Sequence, residues 1–279
     1  MKVLSALPLG RLGNVIFRYL AMVVFSVIND ADIIDPNTET PNIVISDESF
    51  VALMDLYLAN MTTKMNKEYT YGFVGYFQHD KIYLKYKEQI VDYIRQHPND
   101  CLMTDGKTAT RNDFAYDTQY YKAIELLEHP TGDFPIYNVV VHLRLEDFID
   151  NGSVIHPSSV LDVLKAINSD SYCIVVNNPK TELEMKYIEY LKQHYSITIV
   201  SNDVITDFHT MKHAKTLVCS RSTLSWAAAF FSSTVQQVYM PNYYMGRPHE
   251  TFRKPIENTT LYYYRQCTRV ELEAFLARN

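Results

Sequence analysis

Apolar residues recur along this chain with two different periods, and the alternation between them predicts the order of its secondary structure. Residues 1–7 are β-prone and a glycine-containing turn follows at 10–14. Residues 15–28 then carry apolar side chains at three- and four-residue spacing, which predicts a helix. Further on, 137–144 is a β-branched run typical of a buried parallel strand. Strands that alternate with helices are the pattern of an α/β protein.

The same periodicities predict further elements in both halves of the chain. In the N-terminal half these are strands at 42–46 and 71–77 and helices at 50–60, 80–96 and 120–127. In the C-terminal half they are strands at 172–176, 197–200, 216–219 and 235–240, and helices at 160–167, 180–194, 207–214, 223–232 and 270–278.

The segment 98–135 is mostly polar and irregular, and HPTGDFP at 129–135 has the prolines and glycine of a linker. We therefore expect two domains, one at 1–132 and one at 133–279. The last helix is amphipathic and could return to the N-terminal domain.

Composition excludes several classes of protein. The chain is 47% hydrophobic and 21% charged, as folded proteins are, and its net charge of −6 without a basic run argues against a nucleic-acid binder. Its four cysteines form no CxxC pair, which argues against a structural zinc site or a disulfide framework. The first residues do not read as a signal peptide, and the apolar run 19–28 is short for a membrane span. We expect a cytoplasmic protein without a transmembrane segment.

Ligands of open α/β sheets bind beyond the carboxyl ends of the strands, so those ends are where chemistry is expected. In VVVHLRLEDFID (139–150), alternation places His142 and Arg144 on one face at the end of a strand. The fork of an arginine can bind two oxygens of a diphosphate and stabilise it as a leaving group. An ion pair between Arg144 and Asp147 would be the structural alternative.

Two further stretches carry candidate groups at predicted strand ends. In VCSRSTLSWAAAFF (218–231), Ser220, Ser222 and Thr223 lead into a helix, where hydroxyls and N–H groups can bind an anion or simply cap the helix. In VGYFQHDKIYLKY (74–86), His79 or Asp80 could serve as a general base, and Asp80 could equally cap the helix that follows.

Taken with the N-terminal stretch, these segments resemble a known family. GRLGNVIFRYLA, GYFQHDKIY, VVVHLRLEDF and DFHTMKHAKTLVCSRSTLSWAAAFF are similar, in order, to the motifs of the α-1,2-fucosyltransferase family and its wider fucosyltransferase relatives, and they span residues 8 to about 231. The resemblance implies a GT-B-like fold of two Rossmann-like domains facing a central cleft, with 1–132 as the N-terminal, acceptor-side domain and 133–279 as the C-terminal, nucleotide-sugar-binding domain. It also implies an inverting, metal-independent glycosyltransferase that moves a sugar from a nucleotide-sugar donor to a glycan or glycoprotein hydroxyl.

The resemblance assigns roles to individual residues. Arg144 would bind the donor diphosphate, supported by His142. Ser220, Ser222 and Thr223 would bind phosphates, and Asn202 and Asp203 would lie near the nucleotide. The turn would close on the donor, because its glycines allow a close backbone approach and its asparagine can donate and accept hydrogen bonds; its four members are Gly10, Arg11, Gly13 and Asn14. A tight strand-to-helix turn capped by Asn14 is the structural alternative.

Two departures from the family pattern affect the expected donor. Leu145 stands where the HxRRxD motif has its second arginine, and Val15 replaces the glutamine that follows Asn14. GDP-fucose is the family's usual donor. Because leucine cannot supply the lost charge, a UDP-sugar such as UDP-xylose is a serious alternative, and a non-catalytic sugar-binding protein is a further one.

For the reaction, a base must take the proton of the acceptor hydroxyl. Asp80 and His79 are favoured because they belong to the acceptor-side half, and Glu146, Asp147 and Asp207 are the other carboxylates considered. A metal-dependent transferase using Asp30-Ala31-Asp32 as a DxD motif is disfavoured, because these residues read as a solvated turn after a helix. No GxxxxGK[ST] sequence supports a kinase or NTPase.

Overall fold

The computed structural model describes residues 1–5, 10–35, 37–61, 63–107, 116–129, 135–242 and 254–279 of the 279-residue chain. The described residues fall into two compact units. Unit 1 contains those up to residue 129, and unit 2 contains those from residue 135 onward. The boundary predicted between 132 and 133 lies outside the described residues.

Unit 1 is a small parallel sheet with helices and one hairpin. Its strands are β1 (Lys2–Ser5), β2 (Asp32–Ile33), β3 (Ile43–Ser46), β4 (Thr70–Val74), β5 (Cys101–Lys107) and β6 (Tyr116–Lys122). Its helices are α1 (Leu12–Asn29), α2 (Asp47–Leu58), α3 (Asp80–Lys85) and α4 (Lys87–Gln96), with a short 3₁₀ helix at Ala123–Leu126. The sheet order is β2-β1-β4-β3, all parallel, while β5 and β6 pair antiparallel.

The core of unit 1 forms around α1. This helix is apolar nearly all round because it packs on β1, β2, β4, β5 and α4 at once. Phe25, Phe50, Phe73 and Phe77 make edge-on or tilted ring contacts beneath the sheet. By length and hydropathy alone α1 would also suit a membrane span, and 78% of it is buried inside the protein.

Three details of unit 1 differ from the sequence prediction. The helix predicted over 80–96 is two helices that meet at Tyr86, whose φ of −104° and ψ of 18° leave the helical range. The segment 98–135 is not irregular throughout, because it contains the β5–β6 hairpin. The helix predicted at 120–127 is the end of β6 followed by the 3₁₀ turn.

Unit 2 is built on a six-stranded sheet in which every described pairing is parallel. The strands of unit 2, six of them in this sheet, are β7 (Val139–Leu143), β8 (Val154–Ile155), β9 (Tyr172–Val176), β10 (Ile197–Val200), β11 (Thr216–Val218), β12 (Gln237–Pro241), β13 (Thr259–Tyr262) and β14 (Gln266–Cys267). Its helices are α5 (Glu146–Asp150), α6 (Pro157–Ile167), α7 (Glu182–Lys192), α8 (Val204–Lys212), α9 (Thr223–Phe231) and α10 (Arg269–Leu276).

The order of the strands in this sheet defines where a ligand is expected. The order is β10-β9-β7-β11-β12-β13, with β8 and β14 forming a separate two-stranded ribbon. From β7 the chain moves outward through β9 and β10, then returns to the other side of β7 with β11. The winding direction therefore reverses between β7 and β11, and such a reversal opens a crevice at the carboxyl ends of the two strands.

The last helix packs within unit 2. Phe275 of α10 makes edge-on ring contacts with His156, 4.4 Å between centroids, and with Tyr190 of α7, 5.0 Å. Leu272 is fully buried in the core of unit 2. The apolar stripe of α10 therefore has its partner in the same unit.

Candidate functional site

Two predicted site residues form a hydrogen bond at the point where the winding of the unit 2 sheet reverses. His142, at the end of β7, and Ser220, just after β11, are both buried, and His142 Nδ1 lies 2.9 Å from Ser220 Oγ. Burial, together with the positive charge of Arg144, lowers the pKa of His142 to about 3. The imidazole is therefore neutral at physiological pH and acts as a hydrogen-bonding group rather than as a cation.

Arg144 forms the ion pair that the sequence offered as its structural alternative. Its Nε donates to Asp147 Oδ1 at 3.1 Å and its Nη2 donates to Asp147 Oδ2 at 3.0 Å. Its guanidinium carbon also lies 5.0 Å from the centre of the Phe148 ring. The side chain is 19% exposed. These contacts hold the guanidinium in one orientation at the carboxyl edge of the sheet.

Leu145 has a structural role at the position where the fucosyltransferase motif has its second arginine. Its side chain is 2% exposed and belongs to the hydrophobic core of unit 2. Its backbone is the N-cap position of α5. A charged side chain would enter this core at a high desolvation cost, so the leucine suits the packing of this chain.

A pocket of about 540 Å³ opens at the same edge of the sheet, within unit 2. This volume lies in the range of about 300–1,000 Å³ that small-molecule sites occupy. Arg144 is not among the residues that line it. The residues that line the pocket lie in or after the four neighbouring strands β10, β9, β7 and β11. They are His142, Glu146, Val175, Asn177, Asn178, Lys180, Ser201, Asn202, Val204, Asp207 and Leu224.

Asp207 is a carboxylate of the pocket lining whose pKa is clearly raised. Burial raises its pKa from 3.8 to about 6, although hydrogen bonds from Asn202 act in the opposite direction. The backbone N–H and the side-chain amide of Asn202 donate to Asp207 Oδ1 at 3.0 and 3.4 Å. Asp203 is exposed and caps α8 through the N–H groups of Ile205 and Thr206. Asn202 thus lines the pocket, whereas the carboxylate of Asp203 serves the helix.

Glu184, which the sequence analysis did not single out, fixes two loops of the pocket. This carboxylate is 3% exposed. It accepts from the N–H of Glu146 at 3.1 Å and from the N–H groups of Lys180 and Thr181 at 2.9 and 2.7 Å. One buried carboxylate therefore ties the loop after β7 to the loop after β9. The capping-box sequence Thr181-x-x-Glu184 was the available signal.

The hydroxyl groups at the start of α9 divide between two roles. Ser222 is the N-cap of the helix, and its Oγ accepts from the N–H of Leu224 at 3.3 Å. The hydroxyl oxygen of Ser222 therefore caps α9, which is the structural role that the sequence also allowed. Ser220 instead bonds His142, and Thr223 is half-buried as the first residue of the helix.

In unit 1 the predicted turn lies between β1 and α1, and residues 6–9 of its approach lie outside the described part. Gly10 has φ of +89°, and a Cβ there would lie 2.8 Å from Asn14 Nδ2. Glycine is needed on both counts. Arg11 is the N-cap residue of α1, and Asn14 lies within the first helical turn, so Asn14 does not cap the helix as the alternative proposed. Gly13 is buried in that first turn.

Arg18 connects this turn to the other candidate stretch of unit 1. It is 1% exposed in α1, and its Nη1 donates to Ser5 Oγ at 3.0 Å at the end of β1. Its Nε donates to the carbonyl of Gly75 at 3.3 Å, just beyond β4. His79 and Asp80 follow as buried residues at the start of α3. The carboxyl ends of β1 and β4, and with them both stretches, are therefore neighbours within unit 1.

The DxD stretch has no cluster of metal ligands around it. Asp30 is the left-handed C-cap of α1, and Asp32 begins β2. Asp30 is exposed, and its Oδ2 lies 3.8 Å from Lys67 Nζ. Among the residues that the structure describes, no group of three or more His, Cys, Asp or Glu side chains is placed to hold a metal ion.

Comparisons with known proteins leave the function to be argued from the site. No family model matches the chain, and no curated protein is similar to it in sequence. A solved structure, POFUT1 in complex with GDP-fucose, is similar with a TM-score of 0.40 and 10% identity, over 85% of this chain and 96% of that chain. A score at this level establishes no shared fold.

Proposed function

We propose that the protein is an inverting, metal-independent glycosyltransferase that moves a sugar from a nucleotide-sugar donor to a hydroxyl of a glycan or glycoprotein. The observation that carries this proposal is the pocket at the carboxyl edge of the parallel sheet in unit 2, next to the point where the winding reverses. That is where open α/β sheets bind nucleotides. The motif resemblance described above supports the same class of enzyme.

The composition of the pocket suits the nucleoside part of such a donor. Its polar lining is rich in hydrogen-bond acceptors, with carboxylates of Glu146 and Asp207 and side-chain amides of Asn177, Asn178 and Asn202. Hydroxyl groups of a ribose and N–H groups of a base are donors that such a lining can satisfy. The lining has two carboxylates and one cation, Lys180, whose Nζ lies 3.8 Å from Glu146 Oε1. This negative balance disfavours phosphates, so we assign the diphosphate to the arginine outside the pocket.

Arg144 is the proposed ligand and stabiliser of the leaving diphosphate. Its pairing with Asp147 uses Nε and Nη2 and does not use Nη1. Arg144 follows His142, which lines the pocket, by two residues, so we propose that it serves a ligand bound at the same edge of the sheet. Stabilisation of the departing diphosphate by a fixed cation is the main electrostatic contribution we assign to the site.

The base that activates the acceptor is proposed among three groups. Asp80 and His79 are the candidates of unit 1, and Asp207, with its pKa of about 6, is the candidate of unit 2. A carboxylate with a pKa close to the working pH is suited to general base catalysis. Replacing each of the three by Asn or Gln distinguishes them. Only the substitution of the base should remove most of the turnover while leaving donor binding unchanged.

The proposal is tested by donor binding and transfer with a panel of nucleotide sugars in the presence of EDTA. We expect GDP or UDP, together with the matching sugar nucleotide, to raise the melting temperature, because ligands that bind only the folded state stabilise it. Arg144→Ala should abolish transfer, and Arg144→Lys should recover part of it. Arg265→Ala is the control, since Arg265 is an exposed residue of unit 2 that pairs with Glu271. Normal turnover by Arg144→Ala would overturn the assignment.

The same panel decides between donors. A GDP-fucose enzyme is the family expectation, whereas burial of Leu145 where the motif has an arginine favours the UDP-sugar alternative. If nucleotides bind but no nucleotide sugar is hydrolysed or transferred, the protein is a non-catalytic sugar-nucleotide-binding protein. If none binds, the proposed function is wrong.

A further inference from the structure

A second arginine follows β11 at the position that matches Arg144 after β7. Val141 and Val218 are partners in the register of these two strands. Arg144 and Arg221 each follow their valine by three residues. The two arginines therefore hold matching positions beyond the carboxyl ends of these neighbouring strands, where the winding of the sheet reverses.

Both guanidinium groups lie close to the same aromatic ring. The guanidinium carbon of Arg144 is 5.0 Å from the centre of the Phe148 ring, and that of Arg221 is 5.8 Å from the same centre. Each contact is in the range of a cation–π interaction, which offsets part of the repulsion between like charges. Arg221 is also positioned by the Ser153 carbonyl, to which its Nη1 donates at 3.4 Å. Both arginines are partly exposed, so a ligand can reach them.

We propose that Arg221 is a second ligand of the donor diphosphate and acts with Arg144 around the Phe148 ring. The assignment to a donor rests on the proposed function, but the anion chemistry does not. A diphosphate carries charge on two phosphoryl groups, and each guanidinium fork can bind oxygens of one of them.

A second cation at Arg221 also bears on the leucine at position 145. The fucosyltransferase motif has adjacent arginines on one strand, and this chain has leucine at the second position, packed into the core of unit 2. Arg221 returns a second cation to the same edge from the neighbouring strand. The diphosphate site then needs no arginine at position 145, and the cationic pair is divided between β7 and β11.

Isothermal titration calorimetry with inorganic pyrophosphate, GDP and GMP tests the proposal. We expect Arg221→Ala to weaken pyrophosphate and GDP binding about tenfold or more, the scale of a lost charged hydrogen bond. GMP should lose less, because it has one phosphate. Arg221→Lys should keep part of the affinity but lose part of the preference for GDP over GMP, a readout that a merely structural role would not move. Arg265→Ala is the control and should bind all three ligands as the wild type does.

Each outcome bears separately on the inference and on the proposed function. Unchanged pyrophosphate and GDP binding by Arg221→Ala overturns the inference, and normal sugar transfer by the same variant leaves the proposed function standing. Pyrophosphate binding that requires both arginines in a protein that turns over no nucleotide sugar supports the inference alone. A wild-type protein that binds none of pyrophosphate, GDP and UDP contradicts both. If Arg221→Ala does not fold, the GDP-to-GMP preference of Arg221→Lys decides.

Discussion

Replacement of Asp207 by Asn is expected to stabilise unit 2 at neutral pH. Burial beside the pocket raises the pKa of this carboxyl from 3.8 to about 6, so the folded protein holds a poorly solvated charge above that pH. Asparagine retains an oxygen that can accept the hydrogen bonds which Asn202 donates to Oδ1. The substitution therefore removes the charge and keeps the local hydrogen bonding.

The size and the pH range of the effect follow from the pKa. At about 1.36 kcal/mol per pKa unit, a rise from 3.8 to about 6 corresponds to about 3 kcal/mol. Because the carboxyl borders an open pocket, screening by water reduces the expected gain to about 1–2 kcal/mol. The folded-state pKa lies above the unfolded one, so the folded protein binds more protons between about pH 4 and 6. Wild-type stability therefore falls as pH rises through that window, and the variant should lack this fall.

Urea denaturation at pH 4 and pH 7 measures the difference. The single tryptophan, Trp226, is fully buried in α9, so its fluorescence reports on unit 2. Asp203→Asn is the matched control, because the hydrogen bonds of the α8 cap lower the pKa of Asp203 against the opposing effect of burial, and that variant should gain nothing at pH 7. Equal stability of Asp207→Asn and wild type at pH 7, or a gain that persists unchanged at pH 4, would refute the reasoning.

Three further substitutions test the structure at other points. Leu145→Arg should lower the free energy of unfolding by more than about 3 kcal/mol in urea denaturation, because it buries a charge in the core, and a milder loss would contradict that placement. Gly10→Ala should destabilise more than Gly152→Ala in thermal melts, since both have positive φ but only the first Cβ makes a contact under 3 Å; equal losses would remove the steric argument. Ser220→Ala should cost about 1–2 kcal/mol and change the NMR signals of the His142 ring, and an unaltered ring would show that the hydrogen bond is absent.

The sequence predicted unit 2 better than unit 1 because of where each strand lies. Strands β7 and β9 are covered on both faces, so their residues form uninterrupted apolar runs that are easy to recognise. The hairpin strands β5 and β6 are rich in polar residues, and no such run marks them. The break at Tyr86 has no glycine or proline to announce it, so the two helices read as one.

The sequence predicted those residues of the candidate site that lie at the ends of clearly apolar strands. His142, Arg144 and Ser220 follow strands whose apolar pattern is clear, and the structure brings His142 and Ser220 together. The pairing of strands β7 and β11 cannot be read from local pattern, because it depends on sheet order. Arg221 therefore had no visible relation to Phe148 in the sequence. The buried capping role of Glu184 in joining two loops is likewise a consequence of packing.

The buried guanidinium of Arg18 constrains how unit 1 can be re-engineered. Its bonds to Ser5 and to the Gly75 carbonyl mean that the N-terminal turn and the segment that carries His79 are parts of one rigid arrangement. A chimera that imports either segment from another protein would inherit a mismatched anchor. Grafts designed for this unit should transplant both segments together with the arginine that joins them.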